Sequence, residues 1–171
     1  MQDCSSETSE EAPTVQHGQN VRIAYNANTT TIRAYRHGVH KRYRGALVDR
    51  GANGTIVGND ARVIRKLDKL VDVTGIDNHE LNLLKMVDAA SKTYSQRGEV
   101  IIIIHQCAYH GQGRSIISSC QVEHYKNIVH DQSMKVGGKQ CIKTMDGYVF
   151  PLDIINGLPY LKMHTFTDRE W

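Results

Sequence analysis

Asp49 ends an apolar run and, one residue on, the small pair Gly51-Ala52 follows: the stretch reads Gly45-Ala46-Leu47-Val48-Asp49-Arg50-Gly51-Ala52. That is a layout suited to acid–base chemistry by paired carboxylates. Two carboxyl groups held about 3 Å apart share one proton, so one activates a water while the other polarises a carbonyl. Each must leave its strand through a tight turn, because a bulky side chain there would meet the second carboxylate or the substrate backbone. Gly51 and Ala52 meet that demand. The chain carries a single turn of this kind, so a pair requires two symmetry-related copies. Taken alone, four such residues are more commonly just a polar turn that ends a strand.

Two other groups of residues carry chemistry. The segment "TIRAYRHGVHKRYRG" holds Arg33, Arg36, Lys41, Arg42 and Arg44 with Tyr35 and Tyr43 between them and no acid. Cations that hold phosphates, interleaved with rings that stack bases, suit single-stranded nucleic acid, so these five are candidate RNA contacts. A solvated hairpin face is the commoner origin of such a run. His105, Cys107, His110, Cys120 and His124 are near one another in sequence, but His-x-Cys-x-x-His is not a zinc spacing. On a regular strand His105 and Cys107 share a face, which core packing produces as readily as metal binding. Buried cysteine and surface histidine is the favoured reading, with no metal and no cofactor assigned. The "GQGRS" stretch is too short for a phosphate-binding loop.

The elements that must position these residues read as mainly β. At 171 residues, 40% hydrophobic and 23% charged, with a net charge of +3, the chain has the composition of a globular domain with a real core. Its longest purely apolar run, 100–104, is far below the roughly 20 residues that span a membrane, so no membrane partner is expected. The four cysteines have no C-x-x-C spacing and "MQDCSSETSEEAP" has no apolar signal core. Free thiols in an intracellular, cytoplasmic setting follow. Residues 1–20, acidic and poor in apolar side chains, read as a disordered leader.

From Val21 onward the pattern turns to strands. Val21, Ile23 and Tyr25 alternate with polar residues before Asn26 and Asn28, and a β-branched run follows, predicting a hairpin. "GALVD", "TIVG", "ARVIR" and "KLVDVTGI" are strand candidates, while 81–90 fits helix and strand equally. "EVIIIIHQCAY" is the clearest strand. Residues 115–129 carry a helical apolar stripe. Near the end, "KQCIKTM-DG-YVFPLDI" and the Asn-Gly before "LPYLKM" are hairpin signals. A mainly β fold with one short helix and a C-terminal β-hairpin results.

The Asp49 turn, "GRSIISSCQVEHY" and "KTMDGYVFPLDIINGLPYLKM", in that order, together resemble the retropepsin-type protease region of copia-type retrotransposon polyproteins, of the kind found in algal genomes, with the segment preceding integrase. The likeness covers roughly residues 43–163. It implies a retropepsin-like (acid protease) β-barrel at 21–113 and a helix-plus-hairpin linker at 114–171. It also implies a homodimeric aspartic endopeptidase that uses Asp49 from each copy, a loop shaped by Arg50, Gly51 and Ala52, water as nucleophile, and neither metal nor cofactor. The polyprotein itself, in cis or in trans, is then the substrate, inside a cytoplasmic virus-like particle. The alternative is a catalytically inactive structural or RNA-tethering segment of the same polyprotein.

Two departures bear on activity. The family carries Ser or Thr after the Asp, whose hydroxyl braces both loops across the dimer, and here the residue is Arg50, which accepts no hydrogen bond. An unpaired guanidinium buried there costs several kcal/mol. Weak or no activity follows unless Arg50 turns outward or finds a carboxylate, such as Asp49 of the other copy. The family's later apolar-apolar-Gly segment also has no match: Ile56-Val57-Gly58 comes too early, and nothing after Ile104 fits.

Overall fold

The computed structural model describes the backbone of residues 21–25 and 32–36 and the full residues 45–75 and 79–171. Residues 1–20, with the expected leader, lie outside the described residues, as do Lys41, Arg42 and Arg44. The chain divides into two compact units, Met1–Tyr43 and Arg44–Trp171. In the first, β1 (Val21–Tyr25) and β2 (Ile32–Arg36) pair antiparallel, with Val21 opposite Arg36 and Tyr25 opposite Ile32. This is the hairpin that the alternation predicts, and Arg33 and Arg36 stand on its second strand.

The second unit runs through β3 (Ala46–Asp49), β4 (Ile56–Val57), β5 (Arg62–Thr74), β6 (Glu80–Ser95), β7 (Gly98–Tyr109) and β8 (Ile116–Ser118). A short helix, α1 (Ser119–His124), follows, then β9 (Ile128–His130), a 3-10 turn at Met134–Val136, β10 (Cys141–Lys143), β11 (Val149–Ile155) and β12 (Leu158–Leu161). The ten strands form one curled sheet in the order β5-β6-β7-β4-β8-β3-β12-β11-β10-β9. The protein is mainly β, as its sequence implies.

Local signals account for several elements. Gly147, at φ 84°, turns the chain from β10 to β11, and Asn156 (φ 54°) with Gly157 (φ 80°) turns it from β11 to β12. Both are the left-handed conformations that Asp-Gly and Asn-Gly supply. The ambiguous stretch 81–90 is strand because partners claim it from both sides: Ala90 pairs with Arg62 of β5 and with Ile103 of β7. Neighbours decide where its own periodicity does not.

The expected helix over 115–129 is cut to six residues. Ile116 and Ile117 are taken by β3 as a parallel partner, and the Ser118 hydroxyl accepts the Gln121 amide at 3.1 Å as the helix cap. Nor does the chain divide near residue 113. β8 and β12 flank β3 on its two sides, so the 114–171 segment completes the sheet that carries Asp49 rather than trailing behind it. The core gathers Val48, Val57, Val87, Ile117, Phe150, Leu161 and Met163. Among the described residues, no helix is long and apolar enough to cross a membrane.

Candidate active site

Asp49 is the last residue of β3, which runs parallel to β8 with Leu47 opposite Ile116, Val48 opposite Ile117 and Asp49 opposite Ser118. Burial alternates along β3: Ala46 and Val48 are sealed in the core, whereas Asp49 is half-buried at the strand's end. Its Oδ1 accepts the Gly51 amide at 2.8 Å. A Cβ added at Gly51 would stand 3.3 Å from that same oxygen, so the glycine keeps the carboxylate uncrowded. The apolar pair running beside the turn is therefore Ile116-Ile117, with Ser118 after it. The sequence signal for this strand is an apolar pair followed by a capping serine.

Three further residues missed by sequence reading hold the loop. The Ser118 hydroxyl donates to the Ala52 carbonyl at 2.6 Å, and the Ser118 amide donates to the Thr55 hydroxyl at 3.1 Å. The Thr55 amide donates to Gln121 Oε1 at 2.9 Å. Gln121 Nε2 in turn donates to the carbonyls of His105 and Gln106 at 3.2 and 3.3 Å. Thr55 and Ser118 are buried, and partners of this kind are what buried polar groups require. The loop after Asp49 is thus tied to β7, β8 and α1 at once.

Arg50 is neither buried nor unpaired. Its side chain is 49% exposed and turns toward α1 and the exit of β9. Nε donates to Asp131 at 2.7 Å, the two terminal nitrogens reach Glu123 at 3.2 and 3.1 Å, and one of them also reaches the Val129 carbonyl at 3.1 Å. Glu123 first, then Asp131, hold the guanidinium pKa above its ordinary value. The expected penalty for an unpaired buried arginine does not arise, because the carboxylates come from the same chain.

Beyond the turn lies a cleft of about 600 Å³. Asn53, Gly54 and Ile56 form one wall, Val71, Val73 and Met86 of the β5–β6 hairpin a second, and Gln121 of α1 with Tyr125, the residue that caps it, a third. Asp49 is not among its lining residues. On the hairpin, Leu83 sits at φ 56° with its amide held by Asp72 Oδ1 at 2.8 Å, and its side chain is exposed.

His105 and Cys107 do not share a face. Gln106 between them is at φ 54°, which breaks the alternation: the His105 side chain is 60% exposed and Cys107 is fully buried. The Cys107 thiol donates to the Val87 carbonyl, and burial pushes its pKa up to about 12. The Cys120 thiol points instead at the Arg50 carbonyl, 3.8 Å away. Among the described residues, no three His, Cys, Asp or Glu side chains gather where they could hold a metal ion. No protein-family model, no curated protein and no solved structure matches this chain.

Proposed function

We propose that the chain is the aspartic endopeptidase region of a copia-type retrotransposon polyprotein, built on a retropepsin-like half-barrel. The observation that carries this reading is the parallel β3–β8 pair, with Asp49 at its end and its carboxylate facing the Gly51 amide. A carboxylate so placed has one oxygen engaged by the Gly51 amide and, among the described residues, no hydrogen-bond partner on the other, as a shared-proton pair needs.

Two copies bring two Asp49 side chains together, one ionised and one protonated. The ionised group draws a proton from a water, whose oxygen attacks the scissile carbonyl, while the protonated group donates to the carbonyl oxygen. Collapse of the tetrahedral intermediate breaks the C–N bond and sends a proton to the leaving amine. The products are a carboxylic acid and an amine, with one water consumed. The β5–β6 hairpin walls the neighbouring cleft and is the element suited to cover a polyprotein segment lying there.

The test is self-processing of a longer polyprotein that contains this chain. The expected result is cleavage that rises with protein concentration and is abolished by Asp49→Asn, which is nearly isosteric but removes the titrating group. Cleavage that survives Asp49→Asn sinks the reading and leaves the structural or RNA-tethering role.

A further inference from the structure

Among the described residues, the guanidinium of Arg50 is the most heavily engaged side chain near the turn. It meets Asp131 at 2.7 Å, Glu123 at 3.2 and 3.1 Å and the Val129 carbonyl at 3.1 Å. Asp131 follows β9 and is only 13% exposed, while Glu123 lies on α1. The planar fork of an arginine suits two carboxylates held at fixed angles, which a hydroxyl or a lysine does not match. The Arg50 carbonyl also accepts the Cys120 thiol, so backbone and side chain of the same residue are both held by the helix side.

From this geometry we infer that Arg50 is a positioning residue. It clamps the Asp49 turn to α1 and to the β9 exit within one protomer, so the carboxylate is oriented before a second copy arrives. The inference deepens the protease reading and rests on it for the word positioning, though the clamp itself can be tested without catalysis. It makes a specific claim about association. A brace made across the dimer couples loop order to assembly, whereas a brace made in cis leaves the two independent.

Arg50 and Glu123 are exposed enough that their pair contributes little to global stability, and Asp131, held only at the exit of β9, is close enough to the surface to take up water when Arg50 is lost, so the effect is chiefly local. In Arg50→Gln, amide hydrogen exchange at Gly51 and the residues up to Thr55 should speed up about tenfold, with global unfolding barely changed. Sedimentation profiles of the variant and the natural chain should superimpose at every concentration. The double variant Glu123→Gln with Asp131→Asn leaves residue 50 intact and should reproduce the exchange change. In the self-processing protein, cleavage should show a lower kcat with an unchanged KM, assayed on a peptide cut from its own processing site.

Unchanged loop exchange in both variants, or a sedimentation shift on losing Arg50, overturns the inference. So does an Arg50→Gln enzyme as fast as the natural one. If the natural chain cleaves nothing while exchange and sedimentation behave as stated, the clamp stands and the protease reading falls.

Discussion

The buried carboxylate of Asp88, on β6, accepts the backbone amide of Gln106, on β7, at 3.0 Å. Gln106 is in the left-handed conformation, and the pairing of the two strands slips by one residue at this point, between Val87 and Ala89. Asp72 and Leu83 repeat the device between β5 and β6, again with a left-handed residue whose amide is taken by an aspartate across a slipped register. Each aspartate supplies the acceptor that the bulge removes from the ladder. The bulge at Gln106 matters to the site, because the carbonyls of His105 and Gln106 are those that Gln121 holds.

Asp88 gives the first prediction. Burial pushes its pKa up, but the Gln106 amide, Arg65 and His105 outweigh that and leave it below its ordinary 3.8. A depressed native pKa means that the stabilisation is complete above the ordinary value and is lost as pH falls through the native one. Asp88→Ala should therefore cost about 2 kcal/mol at neutral pH, since it removes the acceptor of the part-buried Gln106 amide and the partner of Arg65. The gap between natural chain and variant should narrow below pH 3.8. Urea midpoints across that range check it; a gap that stays constant would mean that the charge contributes nothing.

Gln121 gives the second. Its amide accepts from Thr55 and donates to two carbonyls, so both ends are used. Gln121→Ala should destabilise the protein by about 1–3 kcal/mol, the usual cost of an unsatisfied buried group. Gln121→Glu keeps the acceptor but turns a negative oxygen on two carbonyl oxygens. It should be the worse variant at pH 7 and recover part of the loss in acid, where the protonated group can donate. Equal stability of the glutamate variant and the natural chain would contradict the network as drawn.

The third prediction concerns Gly58. A Cβ there would lie 2.4 Å from the Gly113 carbonyl oxygen, on a backbone already held by the Ser115 hydroxyl and by the Asn59 amide bond to Gly113. Gly58→Ala must push β4 away from the loop that leads into β8, at a cost of about 1–3 kcal/mol. Chemical denaturation should show the shift as a lower midpoint with little change in slope.

Thiol chemistry supplies the fourth. Cys120 is exposed beside the cleft, whereas Cys107 and Cys141 are buried and Cys107 is pushed up to about 12. In a Cys4→Ser background, a disulfide reagent at pH 8 should therefore modify one thiol quickly and the other two only on unfolding. Fast reaction of Cys107 in the folded protein would refute the burial described here.

What the sequence determined by itself was local. The β1–β2 hairpin, the isoleucine strand β7 and the turns at Asp146-Gly147 and Asn156-Gly157 follow from backbone preferences that act over a few residues. The Asp49 turn and its small neighbours were legible for the same reason. Tertiary structure decided the rest. The strand beside Asp49 is Ile116–Ser118, hidden within an apolar stripe that reads as helix until β3 claims it. Periodicity could not assign 81–90, because its state depends on the strands at its sides. The role of Arg50 lay farthest from view. Its charge is evident in the chain, but the carboxylate that meets it at 2.7 Å is 81 residues away. Nothing local to the turn encodes that distance, and on it depends whether the arginine is a buried burden or a clamp.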